Sequence, residues 1–202
     1  EEPQSAGDSL DEWIFFYGVL KAERTLESAK QNGADEEKLL ELLSIINTNK
    51  KMVIIDACNS GGFINNTTEV DRVPPSIYYD SLDAETEEHI LEKAATLYFD
   101  TVDSSADITY KDAVILSASG EQESSIELGG DIRHGLFTYY LLESPQKADF
   151  NNDGYITITE SYAYTASCLE AMFIDYPDDL SQYKFAPHIT GGPVDLVLFE
   201  AD

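Results

Sequence analysis

Two apolar runs that break off in the same way constrain this chain most. KMVIIDACNSGGF (residues 51–63) carries Met52, Val53, Ile54 and Ile55 without polar alternation, then stops on Asp56, Ala57, Cys58 and a glycine pair. DAVILSASGEQESS (112–125) repeats the plan, with Val114, Ile115 and Leu116 running into Ser117, Ser119, Gly120 and Glu121. A short continuous apolar run that ends in turn residues reads as a strand buried on both faces, the signature of a parallel sheet covered by helices. Helical patterns alternate with these runs. LKAERTLESAK (20–30) consists of helix formers, and Gly33 supplies an end. Asp35 stands where it can cap EEKLLELLSIIN (36–47), in which Leu39, Leu42, Leu43 and Ile46 recur at helical spacing. DAETEEHILEKAATLYF (83–99) is amphipathic, GLFTYYLLE (135–143) opens a helix, and another runs to about Met172. EWIFFYGVL (12–20) reads as a strand through Tyr17, and VDLVLFE (194–200) as the last strand. Asn-Asn and Pro-Pro pairs make residues 64–82 a long surface loop.

A chain of 202 residues suits one domain at roughly 100–200 residues each, and neither a repeat nor a composition shift marks a second within residues 1–202. With 39 acids against 12 bases, the formal charge is −27. Such a surface repels phosphate backbones and anionic lipid, so nucleic acid is not the expected partner. No apolar run approaches the roughly 20 residues of a membrane span.

In open α/β sheets, ligands gather beyond the carboxyl ends of the strands. Cys58 and the Ser117–Glu121 stretch are therefore expected at one crevice. A nucleophilic thiol needs access, a way to ionise and donors for an oxyanion. Gly61 and Gly62 allow a tight turn and a close substrate backbone. On spacing alone, Cys58 serves equally well as a packed strand end. Cys168, in an apolar helical stretch, reads as a small core residue.

Three blocks carry a family resemblance. VIIDACNSGGF resembles the nucleophile strand of the caspase-like cysteine peptidases, the clan of metacaspase-like, legumain-like and clostripain-like enzymes. VILSASGEQESSIEL (114–128) is similar to the clan's next core strand, and HGLFTYYLLE (134–143) to the helix after it. The blocks occur in clan order. The resemblance implies an α/β fold, a three-layer caspase-like sandwich with a mostly parallel central sheet flanked by helices. It implies a cysteine endopeptidase with Cys58 as nucleophile, Asn59 occupying a position where the clan often has a His that is not the base. It also implies that Asp56 and Glu121 form a substrate pocket for a basic side chain. Two carboxylates in a cleft attract Arg or Lys and repel Asp, so a peptide or protein substrate would be cut after Arg or Lys.

The clan's mechanism requires a His in a loop after the strand preceding the Cys strand, about 50 residues before the Cys in caspases. DEWIFFY (11–17) resembles that strand, yet it continues into Gly18, Val19 and Leu20. His89, His134 and His188 all follow Cys58. His89 lies among Glu87, Glu88 and Glu92 and reads as a surface residue, and His134 as an aid to its helix. Three arrangements stay open. The chain opens on Glu1-Glu2-Pro3 without Met, so the His loop and the first strands are expected upstream of it. Alternatively, it is an inactive homologue that serves as a binding or scaffold module. Lastly, another base has been recruited, and His188 could approach the site from a loop.

The sharpest local motif is DFNNDGYITITE (149–160). It fits the twelve-residue EF-hand calcium loop, with Asp149, Asn151 and Asp153 at positions 1, 3 and 5 and Gly154 at the sharp turn. Tyr155 would add its backbone carbonyl, Thr157 an oxygen directly or through water, and Glu160 both carboxylate oxygens. Pro145 interrupts the entering helix, and there is one such loop and no pair. The expectation is a single structural Ca2+ site that clips the C-terminal helices together, with a regulatory role left open. No organic cofactor is implied. Calcium use and acidity tilt the expected location toward the outside of the cytoplasm.

Overall fold

The computed structural model describes residues 13–15, 33–48, 50–57, 76–77, 84–103, 113–120, 123–128, 134–175, 185–190 and 196–201. Among them β5 (Ala113–Ser117) forms the middle of a three-stranded sheet, and all five of its residues are buried. β3 (Lys51–Ile55) lies parallel on one side, in register from Lys51 opposite Ala113 to Ile55 opposite Ser117. β8 (His188–Thr190) runs antiparallel on the other, with Ser117 opposite His188. The described chain is thus α/β with a mixed sheet, where the apolar runs suggested a mostly parallel one. An antiparallel edge strand on an otherwise parallel sheet is a common arrangement.

Alternation along the strands decides what each face meets. Val114 and Leu116 enter the large core, with Ile90 and Ala94 of α2 (Ala84–Asp103), Phe137 and Tyr140 of α3 (Leu136–Glu143), and Leu169 and Met172 of α4 (Ile158–Asp175). Ile115 faces the other way and joins Ile55, Val53 and Leu39 of α1 (Glu36–Ile45). Helices therefore pack on both faces of the sheet. Among the described residues the largest element interface is α2 against α4, and Lys93 and Glu170 meet at its rim at 3.3 Å, an exposed pair worth about 0–1 kcal/mol.

Several sequence expectations need correction. β3 is not buried on both faces: only Ile55 is buried and Ile54 keeps 40% of its surface, because β3 pairs on one edge only among the described residues. Asp35 does cap α1, its side chain accepting the Lys38 amide at 2.8 Å. Leu42 and Ile46 of the α1 stripe nevertheless stay exposed. Gly33 begins β2 (Gly33–Asp35), which pairs antiparallel with β1 (Trp13–Phe15). Among the described residues β1 pairs with β2 and not with β3. The 20–30 helix lies outside the described residues. β4 (Ser76–Ile77), inside the expected loop, pairs parallel with β6 (Glu127–Leu128).

Cys168 is a core residue, 1% exposed. Burial pushes its thiol up to about 12, against a smaller downward pull from the Tyr164 hydroxyl. A thiol raised this far is protonated at neutral pH and a poor nucleophile. The raised folded pKa adds stability that is complete below the unfolded value near 9.0 and is lost as pH climbs to about 12. Cys168→Ala is expected to reduce the alkaline loss of stability across that window, as read by urea unfolding at stepped pH; an unchanged slope would contradict it.

Candidate functional site

The carboxyl ends of β3 and β5 are tied together beyond their last paired residues. The Ala118 amide donates to the Ile55 carbonyl at 2.8 Å, and the Ser119 hydroxyl to the Ala57 carbonyl at 3.1 Å. Ser119 is fully buried, so this cross-strand bond is held away from competing water. The next residues along the two strands include Cys58 and Glu121, both of which lie outside the described residues.

On the far side of β5, Glu123 makes a second tie. Its Oε2 accepts the Gly120 and Ala186 amides, each at 2.8 Å, joining the chain that leaves β5 to the chain that enters β8. His188 opens β8 and is not in a loop. Its Nε2 and the Glu123 carboxylate leave no spare room at Gly120, where a Cβ would lie 3.1 Å from Nε2 and 3.0 Å from Oε2. A histidine therefore stands two strand positions across the sheet from the end of β3.

Asp56 meets α3. Its carboxylate accepts a short bond from the Thr138 hydroxyl. Gly135 caps α3 without a side-chain bond, and a Cβ there would fall 2.9 Å from the Asp56 carboxyl carbon. Space, and not backbone conformation, is what glycine supplies at 135. Asp56 as a residue remains exposed, yet its carboxyl end is turned into protein, and the carboxyl's own surroundings set its proton affinity. Desolvation pushes its pKa up, the Thr138 hydroxyl and backbone pull it down, and the charge of Glu127 adds a further upward push. His134, exposed, directly precedes Gly135. Among the described histidines, His134 and His188 thus lie at the end of the sheet where β3 stops, and His89 is exposed on α2.

The 149–160 loop has the backbone that its sequence asks for. Asn152 and Gly154 take positive φ, 59° and 83°. Gly154 has open space around it, so its conformation is the reason for glycine. Asp149 accepts the Asp153 and Gly154 amides at 3.0 Å each, and Asp153 accepts the Tyr155 amide at 2.9 Å. Asn151 accepts the Asp153 amide at 2.9 Å and donates to the Tyr98 hydroxyl of α2 at 3.4 Å. Strand β7 (Tyr155–Thr157) pairs antiparallel with β9 (Val197–Glu200), and the expected break before the loop is a 3-10 turn, Ser144–Gln146, around Pro145.

Glu160 is fully buried. Its Oε1 accepts the Phe150 amide at 3.1 Å and its Oε2 the Thr157 amide at 2.9 Å, while the Glu160 amide donates to the Thr157 hydroxyl at 3.2 Å. The last two bonds form a capping box at the start of α4, legible beforehand in Thr157-Ile158-Thr159-Glu160. No Lys or Arg among the described residues forms an ion pair with Glu160, and a buried carboxylate without a cation is the kind of group that takes a metal ion. The acids of the loop are not gathered about one point: no metal-holding group of three His, Cys, Asp or Glu occurs among the described residues. The donor set is all hard oxygen at EF-hand spacing, which fits Ca2+, and binding would draw these oxygens together.

Glu123, Thr138 and Gly135 were missed by sequence reasoning. The one available signal was at Gly135, a helix start lacking a capping side chain of its own. No family profile matches this chain, and no curated protein or solved structure is significantly similar to it. No helix among the described residues is long and apolar enough to cross a membrane.

Proposed function

We propose that this chain is a cysteine endopeptidase of caspase-like, three-layer architecture, with Cys58 as nucleophile and a calcium loop bracing its C-terminal helices. The observation that carries this reading is the pair of parallel strands ending side by side, bonded through Ala118–Ile55 and Ser119–Ala57. Packing of helices on both faces of that sheet supports it further. In the reaction, a histidine takes the Cys58 proton, the thiolate attacks the substrate carbonyl, and backbone amides hold the oxyanion. The protonated histidine then delivers its proton to the departing amine, and water releases the acyl group. His134 and His188 are the candidates for this base among the described residues.

A preference for Arg or Lys before the scissile bond rests on Glu121, because the Asp56 carboxylate is engaged by Thr138. The test is a panel of fluorogenic peptides that differ in that residue. Hydrolysis fastest after Arg or Lys is the expected result, and Asp peptides outrunning them would overturn the preference. Absence of hydrolysis across the panel, with calcium present, would turn the reading toward an inactive binding module.

A further inference from the structure

We infer that Asp56 is a positioning residue, capping the first turn of α3 from the end of β3 and so fixing the chain two residues ahead of Cys58, instead of reading the substrate. The inference deepens the peptidase reading and rests on it for its kinetic arm. Three observations converge on it. α3 begins without a capping side chain at Gly135. Its first-turn donors must still find partners. Leu136 donates to the Ile126 carbonyl at 2.7 Å, and Thr138 sends its hydroxyl to Asp56, whose proton affinity the Thr138 backbone lowers as well. Asp56 and Thr138 are 82 residues apart in sequence, so the bond joins two elements that nothing local would align.

The absence of a side chain at 135 belongs to the same arrangement. A Cβ there would meet both the carboxyl carbon and Oδ1 of Asp56, at 2.9 and 3.0 Å. The carboxylate is seated against the helix start, where the positive end of the helix favours an acceptor. An acid that recognised a substrate cation would have to give up the Thr138 bond or share it.

Asn and Asp are equivalent as helix caps, whereas Ala is poor. That contrast separates the two roles, since Asn keeps the acceptor and discards the charge that would bind Arg or Lys. The experiment compares Asp56→Asn, Asp56→Ala, Thr138→Val and wild type by kcat and KM on Arg and norleucine peptides, and by melting temperature. Asp56→Asn is expected to keep the Arg-over-norleucine ratio. Asp56→Ala is expected to lower kcat with KM little changed and to lower the melting temperature by about 2–6 °C, with Asn restoring both and Val at 138 falling between. Loss of the Arg preference by about tenfold or more in Asp56→Asn would overturn the inference. So would equal melting temperatures for all four proteins. If wild type hydrolyses nothing, the peptidase reading fails by itself, and the melting temperatures still decide whether Asp56 caps α3.

Discussion

Replacing Cys58 by Ala is expected to lower kcat/KM for Arg-peptide hydrolysis on the order of 10⁴-fold or more, the scale at which loss of a nucleophile collapses a catalytic unit. Without the sulfur no acyl-enzyme forms, and the surrounding donors have little to stabilise. Cys168→Ala is the matched control. That thiol is 1% exposed and burial pushes its pKa up to about 12, so its removal affects core packing and not the chemistry. Equal losses in the two variants would mean that hydrolysis tracks fold integrity. Retention of hydrolysis in Cys58→Ala would remove the thiol from the mechanism altogether.

Calcium at about 100 times its Kd is expected to stabilise the chain by about 2.7 kcal/mol, which raises the melting temperature of a chain this long by about 5–10 °C. The physical cause lies at Glu160, a fully buried carboxylate without an ion-pair partner among the described residues. Glu160→Gln discards the charge and keeps one acceptor oxygen, enough for the Phe150 amide or the Thr157 amide but not for both. It is expected to melt below wild type without calcium and to lose the calcium-linked rise. Glu160→Ala also loses the capping box and is expected to melt lower even without calcium. No rise with calcium in wild type would reduce Glu160 to a capping residue.

Local pattern carried much of the fold. Asp35 announced α1 because a capping side chain and the amide it accepts are three residues apart. The run at 113–117 announced a buried strand because burial on both faces removes any need for polar alternation. The apolar run at 52–55 predicted the same burial for β3 and failed at Ile54, since exposure depends on what lies along the strand's other edge. His188 sits in a three-residue strand too short for any period to reveal. The candidate site was less legible for a similar reason. Cys58 and the acids are residue types that attract notice, while Thr138 matters only because an 82-residue separation closes in space. Glu160 could be read twice, as position 12 of the loop that starts at Asp149 and as the end of a capping box that starts at Thr157.

The most direct measurement treats the full chain with a peptidyl-Arg fluoromethyl ketone and locates the adduct by mass spectrometry. Attack by the thiolate sulfur forms a carbon–sulfur bond and expels fluoride, so labelling requires an accessible, ionised cysteine beside a bound peptide. The expected result is modification of Cys58 and not of Cys168, faster than with the norleucine analogue by about tenfold or more, the worth of one charge-assisted contact. An unmodified Cys58, or labelling at the same rate whatever the side chain, would contradict a Cys58 peptidase with a basic-residue pocket.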